Sequence, residues 1–362
     1  MQYYGTLGPA CGQVDILKKM FEAGMTGVRM NMSHGDLDAN GHWLELLFTA
    51  AKECAVEKPQ VLIDLRGPEL RLGKVENEFA VAEGSQVIFG EGGLVAPKML
   101  LDYAVIGDHI LLDDGKLEFS VESVCANAHA ETTDLKGVTG TSEGTAVGLE
   151  SQMAVGAGLP CADNISLTAR VLRGGMVKSG KSLAIVGKEL PMPTLTESDL
   201  KNISLAPKYG VTGVMQPFVR GKHDLITLRN ALNAAGAEHI EIFAKIENLQ
   251  GVAALDELLP YCDHVVIARG DLGNAMPLWK LPRVQKEISA KCRAAGKPFM
   301  VVTQMLDSMH ERAVPTRAEV LDIYNAVLDG ASSVMLTGET AAGKYPVEAI
   351  TYLVKTGQEA LV

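Results

Sequence analysis

Short apolar runs alternate with helix-like segments along most of this chain, and no other feature restricts the possible folds as strongly. The runs lack the polar–apolar alternation of a half-exposed strand, so they are typical of strands buried on both faces. Buried strands that are joined by helices imply a parallel sheet. The strand-like runs lie at 3–7, 27–32, 60–65, 211–215, 242–246, 264–268, 299–303 and 332–336.

Eight strand–helix units favour an α/β protein built on a (β/α)₈ TIM barrel, which needs roughly 250 residues. An open doubly wound sheet is the alternative architecture. The first strand–helix turn of this chain, however, lacks the glycine-rich sequence with which such sheets bind dinucleotides. We therefore predict the barrel, with its functional side chains at the carboxyl ends of the strands.

The strand–helix rhythm breaks after the third strand. Residues 72–190 are rich in valine, glycine and threonine and show few helical periods, which is typical of a small β domain. Helical spacing resumes after Thr196, which is followed three residues later by Asp199 in a pattern that indicates a helix start. The predicted organisation is a barrel formed by 1–71 and 191–362, with 72–190 inserted as a β domain that serves as a lid.

Composition restricts the possible partners of the protein more than it restricts the possible folds. The net charge of −11 argues against nucleic acid, which needs a basic face. The chain begins without a signal peptide, and no apolar run reaches the ~18 residues that span a membrane. Six scattered cysteines without a C-x-x-C pair indicate reduced thiols. The expectation is a cytoplasmic enzyme with neither a membrane nor a nucleic-acid partner.

The ends of the fifth and sixth strands bring charged residues together. Lys245 and Glu247, two positions apart, are expected to share one face of a strand. Arg269 and Asp271 follow the next strand. A lysine, an arginine and two carboxylates at one end of a barrel suit an anionic substrate and a divalent metal. The alternative is a structural ion pair between Lys245 and Glu247 at the barrel rim.

Other strands also end in polar side chains, and these are further candidates for the site. We expect nothing comparable at the amino ends of the strands. The additional residues at the carboxyl ends are Arg29, Asn31, Ser33, Asp64, Thr303, Thr337 and Glu339.

Nine collinear segments match one known family. They are TLGPAC (6–11), GMTGVRMNMSHG (24–35), DLRGPELR (64–71), LLDDG (111–115), AKIENLQG (244–251), ARGDLG (268–273), AAGKPFMVVTQMLDSM (294–309), PTRAEVLD (315–322) and NAVLDGASSVMLTGETAAGKYPVEA (325–349). Through them the chain resembles the pyruvate kinase family over almost the whole predicted barrel. The resemblance implies phosphoryl transfer from phosphoenolpyruvate to ADP, giving pyruvate and ATP, with Mg²⁺ (or Mn²⁺) and usually K⁺.

The resemblance also implies roles for individual charged residues. Lys245 would lie at the transferring phosphoryl group and the enolate oxygen, where a positioned cation stabilises the transition state. Arg29 would meet the phosphoryl group. Glu247 and Asp271 would be the Mg²⁺ ligands, because hard carboxylate oxygens suit a hard ion.

The carboxylate of the substrate has implied partners of its own. The backbone at Gly270 and Asp271 would hold it at a helix start, together with the Thr303 hydroxyl. Thr303 and Thr337 would lie near the proton that is delivered to the enolate.

A monovalent-cation site and a nucleotide site complete what the resemblance implies. The K⁺ ligands would be Asn31, Ser33, Asp64 and the Leu65 carbonyl, with Glu69 as the carboxylate that accompanies potassium dependence. The nucleotide contacts would be Arg71, Lys181, Asn31 and His34. Lys181 could instead be a solvated charge, and His34 a packing residue. The segment 294–322 resembles the barrel-to-barrel contact of the family, so a homodimer is expected.

The chain departs from the family pattern at several points. Leu65-Arg66 stands where the family usually has Thr-Lys, and Gln216-Pro217-Phe218 replaces Ala-Ser-Phe in a wall of the substrate pocket. The chain stops at Val362, so the C-terminal domain of the family and its effector site are expected to be absent. Two other functions remain open. One is a metal-dependent aldolase or decarboxylase acting on a pyruvate-like 2-oxo acid, and the other is a catalytically weak scaffold protein.

Overall fold

The structure is a computed structural model that describes residues 1–113, 115–126, 165–188 and 190–362. It divides into two compact units, residues 1–69 with 191–362 and residues 70–190. The middle of the predicted β domain, 127–164, lies outside the described residues, as does Asp114 of the motif at 111–115.

The larger unit contains a closed barrel of eight parallel strands, which confirms the predicted fold. Each barrel strand pairs with the barrel strands that precede and follow it in the sequence. The eighth pairs with the first, which closes the barrel. Predicted and observed ends differ by no more than two residues. Barrel strands 1 to 8 are Gln2–Thr6, Gly27–Asn31, Gln60–Asp64, Gly213–Gln216, Glu241–Ile246, His264–Ala268, Phe299–Val302 and Ser333–Met335.

Helices connect the barrel strands, and local sequence signals set several of their starts. The start predicted at Thr196 is confirmed, because its side chain accepts a hydrogen bond from Asp199 N and Asp199 binds back to Thr196 N. The α-helices of this unit are Val14–Glu22, Leu37–Glu53, Glu197–Leu205, Lys222–Ala234, Leu249–Ala253, Leu255–Leu258, Arg269–Asn274, Leu281–Ala294, Arg317–Leu328, Gly338–Ala341 and Pro346–Glu359. Its 3₁₀ helices are Met32–His34, Leu259–Tyr261, Leu278–Lys280 and Asp307–His310.

Alternation along the strands fills the barrel interior with apolar side chains beneath a polar layer. The buried interior cluster consists of Tyr4, Leu62, Met215, Phe243, Val266, Ala268, Met300, Val302 and Met335. Side chains on one face of a strand recur at every second position. Two residues beyond an interior apolar residue, toward the carboxyl ends, come Thr6, Asp64 and Lys245. The strand period therefore sets polar groups directly above the apolar interior.

The smaller unit is built from antiparallel strands, in agreement with the predicted β domain. Phe89 and Phe119 meet edge to face in its core, with ring centroids 5.2 Å apart. One sheet contains, in spatial order, Leu70–Arg71, Ser182–Ile185, His109–Leu112, Leu117–Ala126, Ile165–Arg173 and Gln86–Gly90. Phe79–Val81 and Gly175–Val177 form a second, two-stranded sheet, and Lys98–Tyr103 is a short helix.

Candidate active site

Lys245 lies between two carboxylates at the carboxyl end of strand 5. Its Nζ is 2.9 Å from Glu247 Oε1 and 3.0 Å from Asp64 Oδ1. Asp64 Oδ2 also accepts hydrogen bonds from Arg29, at 2.8 Å from Nε and 2.6 Å from Nη2. Lys245 and Glu247 thus share a face, as their spacing predicts. We call Arg29, Asp64, Lys245 and Glu247 the charged cluster; it contains two cations and two anions.

Water is largely excluded from the charged cluster. The side chains of Asp64 and Glu247 are 4% and 2% exposed. Burial alone would raise the pKa of Asp64, but the Lys245 and Arg29 charges outweigh it and hold that pKa below its usual range. Burial would lower the pKa of Lys245, yet Asp64 and Glu247 together raise it. Lys245 is therefore a permanent cation in a poorly solvated site, where a charge acts strongly on a nearby anion.

Hydrogen bonds extend the charged cluster to further strand ends. Arg29 Nη1 donates to Thr6 Oγ1 at 3.4 Å, and Thr6 Oγ1 donates to Leu336 O at 2.9 Å. Phe218 N donates to Glu247 Oε2 at 2.8 Å. Phe218 has a φ of 53°, and a side-chain-bearing residue in that conformation costs about 1–3 kcal/mol. The network joins the carboxyl ends of strands 1, 2, 3 and 5 to the segments that follow strands 4 and 8.

Strand 6 leads into the helix Arg269–Asn274, and strand 7 leads into a strained turn. Thr303 and Gln304 have φ values of 75° and 55°, which are unfavourable for residues other than glycine and most of all for a β-branched one. A Cβ added to Gly270 would lie 3.2 Å from Thr303 Cγ2, so the two residues are in close contact. Asp271 lies in the first turn of the helix. The residues predicted to bind the substrate carboxylate are therefore neighbours.

Glu339 joins the segments that follow strands 7 and 8. This carboxylate is buried, and its Oε2 accepts hydrogen bonds from Thr337 N at 2.7 Å and from Thr337 Oγ1 at 3.1 Å. Its Oε1 accepts from Leu306 N at 3.2 Å. The hydroxyl that was predicted to lie near the enolate thus already has a carboxylate partner.

The residues predicted to bind a monovalent cation lie at the ends of strands 2 and 3. Asn31 and Asp64 are opposite each other in the register of these strands. Asn31 Oδ1 accepts a hydrogen bond from Ser33 N at 3.0 Å, and Leu65 is buried. Both Asp64 oxygens contact cationic side chains of the charged cluster. The amide, hydroxyl and carbonyl oxygens suit a monovalent cation, whereas the Asp64 carboxylate is shared with the charged cluster.

Glu247 and Asp271 follow adjacent, paired strands, since Ile246 lies opposite Ile267. In the described part of the chain, no group of three or more histidine, cysteine, aspartate or glutamate side chains could hold a metal ion alone. Two carboxylates are nevertheless typical for Mg²⁺, which keeps several waters or substrate oxygens in its octahedral shell. The chemistry of this donor pair therefore fits the implied divalent ion.

The predicted nucleotide contacts fall in both units. In the smaller unit, Arg71 Nη1 donates to Gly180 O at 2.8 Å. Lys181 Nζ lies 2.9 Å from Asp113 Oδ1, so Lys181 is paired and not simply a solvated charge. His34, in the larger unit, is exposed, so the alternative that it is a packing residue is wrong.

Charged side chains also occupy the amino ends of the strands, so the expectation that none would lie there is wrong. Arg229 donates to two main-chain carbonyls, each at 3.0 Å, and pairs with Asp263 at 3.0 Å. Glu241 contacts His264 at 3.3 Å. These contacts join residues that precede strands to residues on the connections between strands, such as Asp263 to Arg229, and the pattern within a strand does not indicate them.

Two contributors to the site were overlooked in the sequence. Thr6 could have been found, since it follows Tyr4 by two positions on the interior face of strand 1. The main-chain N–H of Phe218 gave no sequence signal, because its direction depends on an unusual backbone conformation. Gln216, in the segment that is predicted to alter a pocket wall, donates from Nε2 to Thr194 O at 3.1 Å.

Comparisons with known proteins agree with the fold. The family model described as "Pyruvate kinase, barrel domain" matches residues 2–157 and 155–350. The pyruvate kinase of Geobacillus stearothermophilus is 36% identical over 354 residues, which cover 95% of this chain and 54% of that protein. The pyruvate kinase of Clostridium acetobutylicum is 33% identical, over 98% of this chain and 69% of its own length. That of Candida albicans is 35% identical, over 97% and 65%.

The chain spans about half the length of the pyruvate kinase of Geobacillus stearothermophilus, and the same holds for the pyruvate kinase of Bacillus licheniformis, which is 35% identical over 95% of this chain. None of the helices in the described part of the chain has both the length and the apolar character that crossing a membrane requires.

Proposed function

Because the chain belongs to the pyruvate kinase family, we propose that it transfers the phosphoryl group of phosphoenolpyruvate to ADP, giving pyruvate and ATP. The observation that carries the proposal is the charged cluster. Lys245 is held between Asp64 and Glu247, beside Arg29, at the end of the barrel where such enzymes bind substrate.

Phosphoryl transfer needs positioned charge more than it needs covalent chemistry. The transition state spreads negative charge over the equatorial phosphoryl oxygens, and Lys245 and Arg29 are the cations proposed to meet it. Asp64 contacts both cations, so both side chains are already held in place before substrate binds. Preorganised charge of this kind stabilises a transition state without reorganisation during the reaction.

Glu247 and Asp271 are the proposed ligands of Mg²⁺ or Mn²⁺. When bound, the ion would neutralise charge on phosphoryl and enolate oxygens. The hydrogen bond from Phe218 N orients the Glu247 carboxylate, and outer partners of this type commonly tune metal ligands. Because Glu247 also contacts Lys245, cation and metal ligand are positioned together.

Two hydroxyls are proposed to serve the enolate half of the reaction. Thr303, with the backbone at Gly270 and Asp271, would bind the substrate carboxylate, and Thr303 and Thr337 would lie near the proton that the enolate receives. The contact between Gly270 and Thr303 supports the first role. The hydrogen bond from Thr337 Oγ1 to Glu339 supports the second, since it fixes that hydroxyl.

The K⁺ ligands and the nucleotide contacts are proposed because of the chemistry of their donor and acceptor groups. Amide, hydroxyl and carbonyl oxygens suit K⁺, and arginine and lysine suit nucleotide phosphates. The proposed K⁺ ligands are Asn31, Ser33, Asp64 and the Leu65 carbonyl. The proposed nucleotide contacts are Arg71, Lys181, Asn31 and His34.

We also propose a cytoplasmic homodimer that is formed through the barrel at 294–322. The cysteines in the described residues are free thiols, in keeping with a reducing compartment. Val314 and Leu321 are each 60% exposed, which leaves apolar surface for a second copy to cover. A monomeric mass by light scattering would contradict the dimer.

The decisive experiment compares Lys245→Met with Lys297→Met in an assay of pyruvate formation from phosphoenolpyruvate and ADP, with Mg²⁺, with and without K⁺. Lys297 is a matched control, since its half-buried ammonium donates to Cys262 O at the amino ends of the strands. We expect Lys245→Met to lower kcat by about 10²-fold or more, the typical effect of removing a transition-state electrostatic group. Lys297→Met should leave kcat unchanged, and light scattering checks that this variant, which lies in the proposed dimer segment 294–322, has the same mass as the parent. Full turnover in Lys245→Met would refute the role of Lys245.

A further inference from the structure

The turn after strand 7 is strained and does not hold its shape alone. Thr303 and Gln304 are consecutive residues in the left-handed region, with φ values of 75° and 55°. Such conformations persist only where surrounding structure enforces them. The residue that carries the strain is a β-branched threonine, the type least suited to it. Some contact must therefore offset that strain.

Arg269 supplies that contact. Its Nη2 and Nε donate to Thr303 O at 2.7 Å and 3.1 Å, and Nε also lies 3.3 Å from Val302 O. The side chain is only 11% exposed, so these bonds are shielded from competing water. A guanidinium can hold one carbonyl with two donors because its N–H groups form a rigid planar fork.

Asp322 sets the direction of that fork. It lies on the helix Arg317–Leu328, and its Oδ2 is 2.6 Å from Arg269 Nη1. Nη1 of the guanidinium is thus bound by a residue on an outer helix, while Nε and Nη2 donate to the turn at Thr303 O. The same turn brings Thr303 Cγ2 against Gly270. The hydrogen bonds of Arg269 run to the main-chain carbonyls of Val302 and Thr303, to Met305 Sδ and to Asp322 rather than toward the charged cluster.

We propose that Arg269 and Asp322 are positioning residues, which hold the strained turn and so fix the Thr303 side chain beside Gly270. The inference rests on the proposed function in so far as Thr303 serves the reaction there. Loss of the pair lets residues 303–304 relax toward ordinary backbone conformations and moves the hydroxyl. Misplacement by about 1 Å costs up to about 10²-fold in rate.

The test uses Asp322→Asn and Arg269→Lys, with Arg229→Lys as the matched control. Arg229 makes the same kind of contacts, to two carbonyls and one aspartate, but at the amino ends of the strands. We expect kcat to fall about 10-fold in Asp322→Asn and up to about 10²-fold in Arg269→Lys, and to stay unchanged in Arg229→Lys. Asp322 is 34% exposed, but its partner Arg269 is only 11% exposed. Urea denaturation of each variant therefore shows whether it is folded under the assay conditions.

A double-mutant cycle identifies the route of the effect. If Arg269 acts through Thr303, Arg269→Lys lowers kcat in the parent but has no further effect in a Thr303→Ala background. Equal losses in both backgrounds overturn the proposal, since they indicate a general structural role. Wild-type kcat in both Asp322→Asn and Arg269→Lys overturns it as well.

A crystal structure of Arg269→Lys separates this inference from the proposed function. If the unmodified chain forms no pyruvate, the proposed function fails, and the φ values of residues 303 and 304 in the variant then decide the inference. Values that leave the left-handed region support it, and unchanged values overturn it.

Discussion

The two ends of the barrel carry similar residues arranged to different effect. At the carboxyl ends, Arg29 and Lys245 converge on one carboxylate that is 4% exposed. At the amino ends, Arg229 pairs with Asp263, whose side chain is 43% exposed. Charge is present at both ends of the strands. The candidate active site differs from the charged surface at the amino ends because its charges are buried and converge on one carboxylate. A buried charge has no solvent to replace a lost partner, whereas an exposed one does.

Aromatic packing separates the two ends of the barrel. Phe243 stacks on His264, the first residue of strand 6, with ring centroids 4.2 Å apart. Strand 5 presents Lys245 two residues after Phe243, above that apolar layer. On one face of strand 5, an apolar packing residue, Phe243, is thus followed two positions later by a charged residue of the candidate active site, Lys245.

The largest contrast is expected between Asp64→Asn and Asp263→Asn. Asp64→Asn leaves Lys245 and Arg29 as buried, poorly compensated charges, which typically costs about 3–5 kcal/mol of unfolding free energy. Asp263→Asn removes a partly exposed pair and should cost about 1 kcal/mol or less. Urea denaturation of both variants measures the difference. Equal losses would show that burial does not make the carboxyl-end charges more dependent on their partners than the amino-end charges.

An intermediate effect is expected for Glu339→Gln at the carboxyl end. The amide retains one acceptor oxygen, so either Leu306 N or the Thr337 groups lose their partner inside a buried site. An unsatisfied buried group costs about 1–3 kcal/mol. The exposed carboxylate of Glu311, paired with Lys344, is the control, and Glu311→Gln should change the urea midpoint little. Equal midpoints in the two variants would argue against a structural role for Glu339.

The smallest effect is a difference in acid sensitivity. Burial lowers the pKa of His264 despite the opposing influence of Glu241 and Asp263, while Lys297 lowers it further. The unfolded chain therefore binds more protons near His264 than the folded one, and stability falls as pH drops below about 6.5. His264→Phe should flatten the stability curve between about pH 7 and 5. An unchanged slope in that range, measured by urea midpoints, would contradict this.

The charged cluster loses stability in a different pH window. The pKa of Asp64 is lowered in the folded state by Lys245 and Arg29, against the effect of burial. Its stabilisation is therefore present above the ordinary aspartate pKa of about 3.9 and disappears as pH falls through the lower folded value. Acid thus affects the amino end first and the carboxyl end afterwards.

Strand bounds, helix starts and shared strand faces could be predicted from the sequence, because they depend on residues that are close together in the chain. The bounds of strand 6 and the capping pair at Thr196 and Asp199 follow from residues that are close together in the chain. The shared face of Lys245 and Glu247 follows from strand period alone.

Contacts between distant segments could not be predicted in the same way. Asp64 and Lys245 are 181 positions apart, and their contact depends on barrel register and closure. Arg269 and Asp322 are 53 positions apart, on a strand end and an outer helix, and neither sequence pattern points to the other. Positive φ at Thr303 is a tertiary outcome that opposes the preference of threonine.

Closure of the barrel also bears on when the site can form. Thr6 N donates to Thr340 Oγ1 across 334 positions, and Thr6 Oγ1 binds Leu336 O beside strand 8. During synthesis the early strands emerge first, so strand 1 keeps one unpaired edge until the eighth strand leaves the ribosome. Contacts of such long separation form slowly, because the connecting loop must close before they form. The link from Thr6 to Leu336 is thus completed only after the last barrel strand docks, and a nascent chain that stops before it leaves strand 1 exposed to wrong partners.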